Sequence, residues 1–247
     1  MSGHSKWNNI KKKKEKTDGQ KAKIFTKIGR EIAVAVKEGG PDPAGNSKLA
    51  DAISKAKDNN VPNENIDRII KKAAGDGDKN NYEEIMYEGY GPSGVAVIVE
   101  ALTDNRNRTA GDLRHYFDKF GGNLGQNGCV SFMFEKKGVI VAENNGADEE
   151  KVMEDCFDSG AEDYRVDDEV IEIYCAANDV RIVKEGLVGK GYKIISAEPA
   201  YIPNTEAMIE DADLCVKMQR LLEMLEDNDD VQNVWHNWGN EPEEEEE

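Results

Sequence analysis

Residues 138–199 read GVIVAENNGADEEKVMEDCFDSGAEDYRVDDEVIEIYCAANDVRIVKEGLVGKGYKIISAEP, and the order of periodicities within them decides the fold. A short apolar run at 138–143 reads as a strand, 148–159 as a helix, 161–166 and 170–176 as two strands, 179–190 as a helix and 192–199 as a last strand. The order β-α-β-β-α-β is that of a split β-α-β, ferredoxin-like unit. Its expected limits are Lys136-Lys137-Gly138 on one side and Tyr201-Ile202-Pro203 on the other, a domain at 136–203.

Outward from this unit the pattern is incomplete on both sides. Upstream lie a strand at 83–90, a turn at Gly91-Pro92-Ser93-Gly94 and a buried strand at 95–103. A helix follows, capped by Thr109 and running to Phe120, with Leu113, Tyr116, Phe117 and Phe120 inward; Gly121-Gly122 ends it. A glycine-rich loop at 121–128 then leads to a strand at 129–135. Downstream come a helix at 211–226 (Leu214, Met218, Leu221, Leu222, Leu225) and a strand at 231–238. These two supply what the upstream piece lacks, so the expectation is a discontinuous α/β domain, 79–135 plus 204–238, with 136–203 inserted into it.

The N-terminal third follows helical spacing. Ile24, Phe25, Ile28, Ile32, Ala35 and Val36 form one stripe, stopped by Gly39-Gly40-Pro41. Lys23, Lys27, Arg30 and Lys37 share another face. Two more helices, at 47–59 and after Pro62, complete a three-helix domain at 1–78. The fold class is therefore α+β and multidomain: three helices, then two α/β units, one inside the other.

Charge is sharply segregated. The first 37 residues hold eleven Lys or Arg against Glu15, Asp18 and Glu31, a local +8 on a chain whose total is −18, leaving −26 for the remainder. A cationic head bearing Lys6, Trp7 and Lys11, Lys12, Lys13 and Lys14 points to a polyanionic partner, because each neutralised phosphate releases condensed counterions. A solvated terminus without a partner is the plain alternative, and Trp7 and Ile10 argue against it. The tail at 239–247 reads as solvated and disordered.

The densest polar cluster elsewhere is Asp104-Asn105-Arg106-Asn107-Arg108-Thr109, between a buried strand and a helix N-terminus. Arg106 and Arg108, with Arg114 further along, can contact phosphates there. Equally, the polar side chains can brace the turn while the arginines pair with acids such as Asp112 and Asp118. Tyr82, Tyr87 and Tyr90 can stack on bases, though core packing is the commoner use. The glycine loops fit neither a P-loop nor a dinucleotide fingerprint. Four scattered cysteines read as buried, reduced thiols, and three scattered histidines offer neither a zinc set nor a Cys-His dyad. An enzyme built on the Asp104–Arg108 loop is the weakest reading, for want of a nucleophile-base pair. The longest aliphatic run, 95–99, is too short to cross a bilayer.

Several segments together resemble the YebC/PmpR family, which includes the mitochondrial translational activator of cytochrome oxidase subunit one. They are Gly3-His4-Ser5-Lys6-Trp7, Lys23-Ile24-Phe25-Thr26-Lys27, Tyr87-Glu88-Gly89-Tyr90-Gly91-Pro92, Leu102 to Thr109, Gly121 to Gly125 and Asp230-Val231-Gln232-Asn233-Val234. Asn8 departs from the family's usual Ala. The resemblance implies a helical domain plus two α/β domains, no catalysis and no cofactor. It also implies either a ribosome-associated translation factor acting on stalls such as those at proline-rich stretches, or a DNA-binding transcriptional regulator. The expected partner is the ribosome and its rRNA, with duplex DNA as the alternative, and neither a membrane nor a small-molecule substrate. A body at −26 repels a long duplex, and no recognition helix of the helix-turn-helix kind stands out. The motif starts at Gly3, so the expectation is a cytoplasmic bacterial protein without a presequence, and a monomer.

Overall fold

The computed structural model describes residues 18–75, 81–146 and 148–242. These form two compact units, one of residues 18–131 and 209–236, the other of residues 132–208 and 237–242.

The first unit begins with three helices: α1 (Asp18–Gly39), α2 (Ser47–Asp58) and α3 (Asn63–Ala74). The apolar stripe read from α1 is the buried one: Ile28, Ile32 and Val36 meet Leu49, Ala52, Ala56, Val61, Ile66 and Ala73 in a cluster drawn entirely from the helices and their links. Buried Asn46 fixes the α1–α2 corner. Its Oδ1 accepts from Leu49 N at 3.1 Å, capping α2, and its Nδ2 donates to the carbonyls of Ala35 (2.7 Å) and Gly40 (2.8 Å) at the end of α1.

The same unit then builds a four-stranded antiparallel sheet in the order β3-β1-β2-β8, from β1 (Glu83–Tyr90), β2 (Ala96–Thr103), β3 (Asn123–Leu124) and β8 (Val231–His236). Helices α4 (Arg106–Lys119) and α7 (Ala212–Asp227) pack on this sheet and on each other. Gly89 is required where β1 passes under α4, since a Cβ there would lie 2.7 Å from the Asn123 carbonyl and 2.9 Å from the Phe117 ring.

The second unit is a second antiparallel sheet, order β5-β6-β4-β7, built from β4 (Phe134–Glu143), β5 (Asp163–Val166), β6 (Val170–Ala176) and β7 (Ile194–Pro203). Helices α5 (Glu149–Asp158) and α6 (Val180–Gly189) bury Val152, Cys156, Val183 and Leu187 against Ile140, Ala142, Ile171, Ile173 and Cys175. The element order and strand order together are those of the ferredoxin-like arrangement, and the whole is α+β as the periodicities implied.

Local expectations fail in several places. The strand expected at 129–135 forms only at its end, where β4 starts at Phe134; the amides of Val130 and Ser131 are captured by a side chain instead. Buried Glu88 accepts from Gly128 N at 2.7 Å, Val130 N at 2.8 Å and Ser131 N at 2.9 Å, so these groups are withdrawn from any ladder. Lys136-Lys137-Gly138 is not a break but the middle of β4. Gly138 pairs on both sides, with Cys175 and Pro199, and a Cβ would meet Val180 Cγ2 at 2.5 Å and Cys175 Sγ at 2.6 Å. The last strand stops at His236, and buried Trp238 lies beyond it at a bridge between its own residue and Ala207. Of the thiols, Cys156 and Cys175 are buried while Cys129 and Cys215 are half-buried; all four are free.

Candidate nucleic-acid interface

Helix α4 starts one turn earlier than its composition suggested. Asn105, not Thr109, is the N-cap: its Oδ1 accepts from Arg108 N at 3.1 Å. Thr109 is buried instead, and its hydroxyl lies 2.8 Å from Asp230 Oδ2 and 2.8 Å from Thr103 Oγ1.

Asp230 is the centre of this arrangement. Its carboxylate, 4% exposed, also accepts from Arg108 Nη2 at 2.7 Å and from Thr103 Oγ1 at 3.2 Å, and on its other oxygen from Arg30 Nη1 at 2.9 Å. Burial alone pushes the Asp230 carboxyl up, but the hydrogen bonds from Arg108, Thr109 and Arg30 outweigh it and hold the group below the usual carboxylate range. Arg108 also reaches Asp104 at 3.0 Å, and these two carboxylates raise its own affinity for the proton. Two sequence segments more than 120 residues apart are therefore one polar knot.

Lys23, Lys27 and Arg30 do share one face of α1, but that face is not an open basic surface. Lys23 Nζ lies 2.9 Å from Asp227 Oδ1, and Lys27 Nζ donates to the Glu226 carbonyl at 2.7 Å. Arg30 donates to the Asp229 carbonyl at 2.6 Å as well as to Asp230, with its guanidinium 5.4 Å from the centre of the Tyr82 ring. A cleft of about 540 Å³ lies here, lined by Lys23, Arg30 and Arg108, by Asp104, Asp112, Asp227, Asp229 and Asp230, and by Tyr116 and Asn228. Carboxylates outnumber cations on its walls, so as it stands it repels rather than binds an anion.

The remaining described candidates differ. Arg106 and Arg114 are exposed, and among the described residues no hydrogen bond or ion pair holds either guanidinium. They stand eight residues apart on α4, about 12 Å along the axis, Arg106 at the helix N-terminus. Tyr87 and Tyr90 are committed to structure: their hydroxyls donate to the carbonyls of Arg106 (3.2 Å) and Cys129 (2.9 Å). Lys6, Trp7 and Lys11 to Lys14 lie outside the described residues, as does the end of the acidic tail. Sequence reading did not place Asp227 or Asp230 in a site: Asp227 showed only as part of an acidic cluster, and Asp230 only as the start of a segment shared with the family. Among the described residues no helix is long and apolar enough to cross a membrane, and no group of three or more His, Cys, Asp or Glu could hold a metal ion.

Residues 5–76 match the family model for the TACO1/YebC protein N-terminal domain, and residues 82–238 match that for the TACO1/YebC second and third domain. A relative from Acetivibrio thermocellus, named a probable transcriptional regulatory protein, is 61% identical over 96% of this chain and 99% of its own length. One from Finegoldia magna with the same name is 57% identical over 98% and 100%. The crystal structure of a conserved hypothetical protein from Aquifex aeolicus is similar with a TM-score of 0.81 at 46% identity, covering 90% of this chain and 92% of that one. The match runs through the cationic head, the Asp104–Thr109 turn and the Asp230 strand alike: the chain belongs to the TACO1/YebC family.

Proposed function

We propose that the protein is a non-catalytic, nucleic-acid-binding regulator of gene expression that acts on the ribosome through rRNA, relieving stalls such as those at proline-rich stretches. The name carried by its relatives supports regulation of gene expression. The observation that carries the finer reading is the distribution of charge. The body is strongly acidic, and Lys23, Lys27, Arg30 and Arg108 are engaged by its own acceptors. The densest run of positive charge in the sequence, Lys6 and Lys11 to Lys14 with Trp7 for stacking, lies in the head, and Arg106 and Arg114 add exposed cations that the body does not engage. Such a molecule fits a partner that admits a small cationic probe and keeps the acidic body outside, as an rRNA-lined site does and a long duplex does not. It acts in the cytoplasm as a monomer.

The second reading, a transcriptional regulator on duplex DNA, is favoured by the relatives' name. Binding of the full chain to ribosomes and to duplex DNA across a salt series separates the two. Head-dependent ribosome binding with weak, unselective DNA binding is expected. Replacing Lys11 to Lys14 with Ala should flatten the log-affinity against log-salt slope by about 3, at roughly 0.7 per single-strand phosphate contact, without changing the melting temperature. An unchanged slope removes the head from the interface, and sequence-selective DNA binding at physiological salt replaces the ribosomal reading.

A further inference from the structure

The acidic corner that covers α1 is joined to it in an unusual way. The apolar cluster of the three helices draws its members only from residues 24–73, so their attachment to the rest of the unit along this face is polar. The acceptors are the exposed carboxylate of Asp227, the backbone carbonyls of Glu226 and Asp229, and one oxygen of Asp230. Exposed ion pairs and single carbonyl bonds are weak and screened by salt. The charge of the buried member does not depend on α1 alone: with Arg30 gone, Asp230 keeps Arg108, Thr109 and Thr103 on Oδ2, and its Oδ1 is left open to water. The corner can therefore part from α1 without orphaning a buried charge or opening an apolar core.

The face so covered has a regular layout. Lys23, Lys27 and Arg30 stand at i, i+4 and i+7, a row about 10 Å long of donors already directed at oxygen acceptors. We infer that this row is a phosphate-backbone-binding surface held in reserve: residues 226–230 occupy it in the free protein as an internal anion, and an RNA strand takes their place. The inference rests on the nucleic-acid reading above. It converts the four acceptors of the corner into stand-ins for phosphodiester oxygens. It also makes exposure of α1 a consequence of engaging the target, since a strand that displaces the corner gains contacts that the free protein withholds.

The test uses the full chain and a mixed-sequence single-stranded RNA oligonucleotide, with affinity read by fluorescence anisotropy. Asp227→Lys removes and repels the Lys23 contact at an exposed position. Glu223→Lys, one turn earlier on α7 and also exposed, makes the same change of net charge away from that contact. Asp227→Lys is expected to tighten binding about 3- to 10-fold more than Glu223→Lys. That excess should vanish when Lys23→Ala and Lys27→Ala are added. Equal gains from the two reversals, or an excess that survives loss of Lys23 and Lys27, overturn the reserve surface while leaving head-dependent binding intact. A greater response with duplex DNA than with RNA overturns the assignment of the partner. Absence of RNA binding by every variant removes the nucleic-acid reading itself, and this inference with it.

Discussion

Asp230→Ala is expected to destabilise the first unit by about 2–4 kcal/mol, the loss being that of a buried carboxylate whose cationic and hydroxyl partners are left behind. The range sits below the value for a fully buried pair because the Arg108 side chain is 47% exposed and water can replace part of its bonding. For a unit of this size the melting temperature should fall by roughly 5–15 °C. Asp230→Asn keeps an acceptor for Thr109 but loses the charge opposite Arg30 and Arg108, so it should fall between the two. The effect has a defined pH dependence. A carboxyl held below its ordinary value contributes stability that is fully present above the unfolded-state pKa and is lost as pH falls through the folded one. Melting curves of wild type and Asp230→Ala should therefore converge in acid. Curves that stay parallel down to low pH would show that ionisation of Asp230 does not supply the stability.

Glu88→Gln is expected to cost about 2–3 kcal/mol, although it changes one atom type in a side chain that barely sees solvent. Both oxygens of Glu88 accept, one from Gly128 and the other from Val130 and Ser131, and a carboxamide must turn an N–H₂ toward one of these amides. Burial raises the Glu88 carboxyl, but the three backbone N–H groups bring it below the ordinary carboxylate range, so this contribution too is lost on acidification through the folded value. Amide hydrogen exchange at Gly128, Val130 and Ser131 is the direct readout. Exchange should accelerate there in the variant and remain unchanged in β5 to β7. Protection that persists in Glu88→Gln would mean that these three amides owe nothing to the side chain's charge.

The elements that sequence reading recovered were those whose signal is local. The stripe Ile28, Ile32 and Val36 and the order of strands and helices from 138 to 199 follow from spacing within a single segment, and both stand in the structure. The elements it misplaced were those where a distant group intervenes. Val130 and Ser131 belong to a strand-like run, but Glu88, some 40 residues upstream, claims their amides. Gly138 has the appearance of punctuation because nothing in its neighbours shows that Val180 and Cys175 will close over it. Thr109 is a good capping residue in the abstract, and Asn105 displaces it because Thr109 is needed by Asp230.

The same division applies to the candidate interface. Arg106 and Arg114 remain exposed and unengaged among the described residues, whereas Arg30 and Arg108 were indistinguishable from them by type and spacing. Periodicity states which face of a helix a cation occupies; it does not state what that face meets. By itself the sequence determined the kinds and order of the elements, the family and the segregation of charge, because these depend on neighbouring residues and on composition. Only the tertiary structure decided that Asp230 binds Arg30, Arg108 and Thr109, and that the basic row of α1 is covered by an acidic corner. Ion pairs and buried hydrogen bonds join groups 121 to 204 residues apart, and no repeating pattern along a chain encodes a partner at that distance.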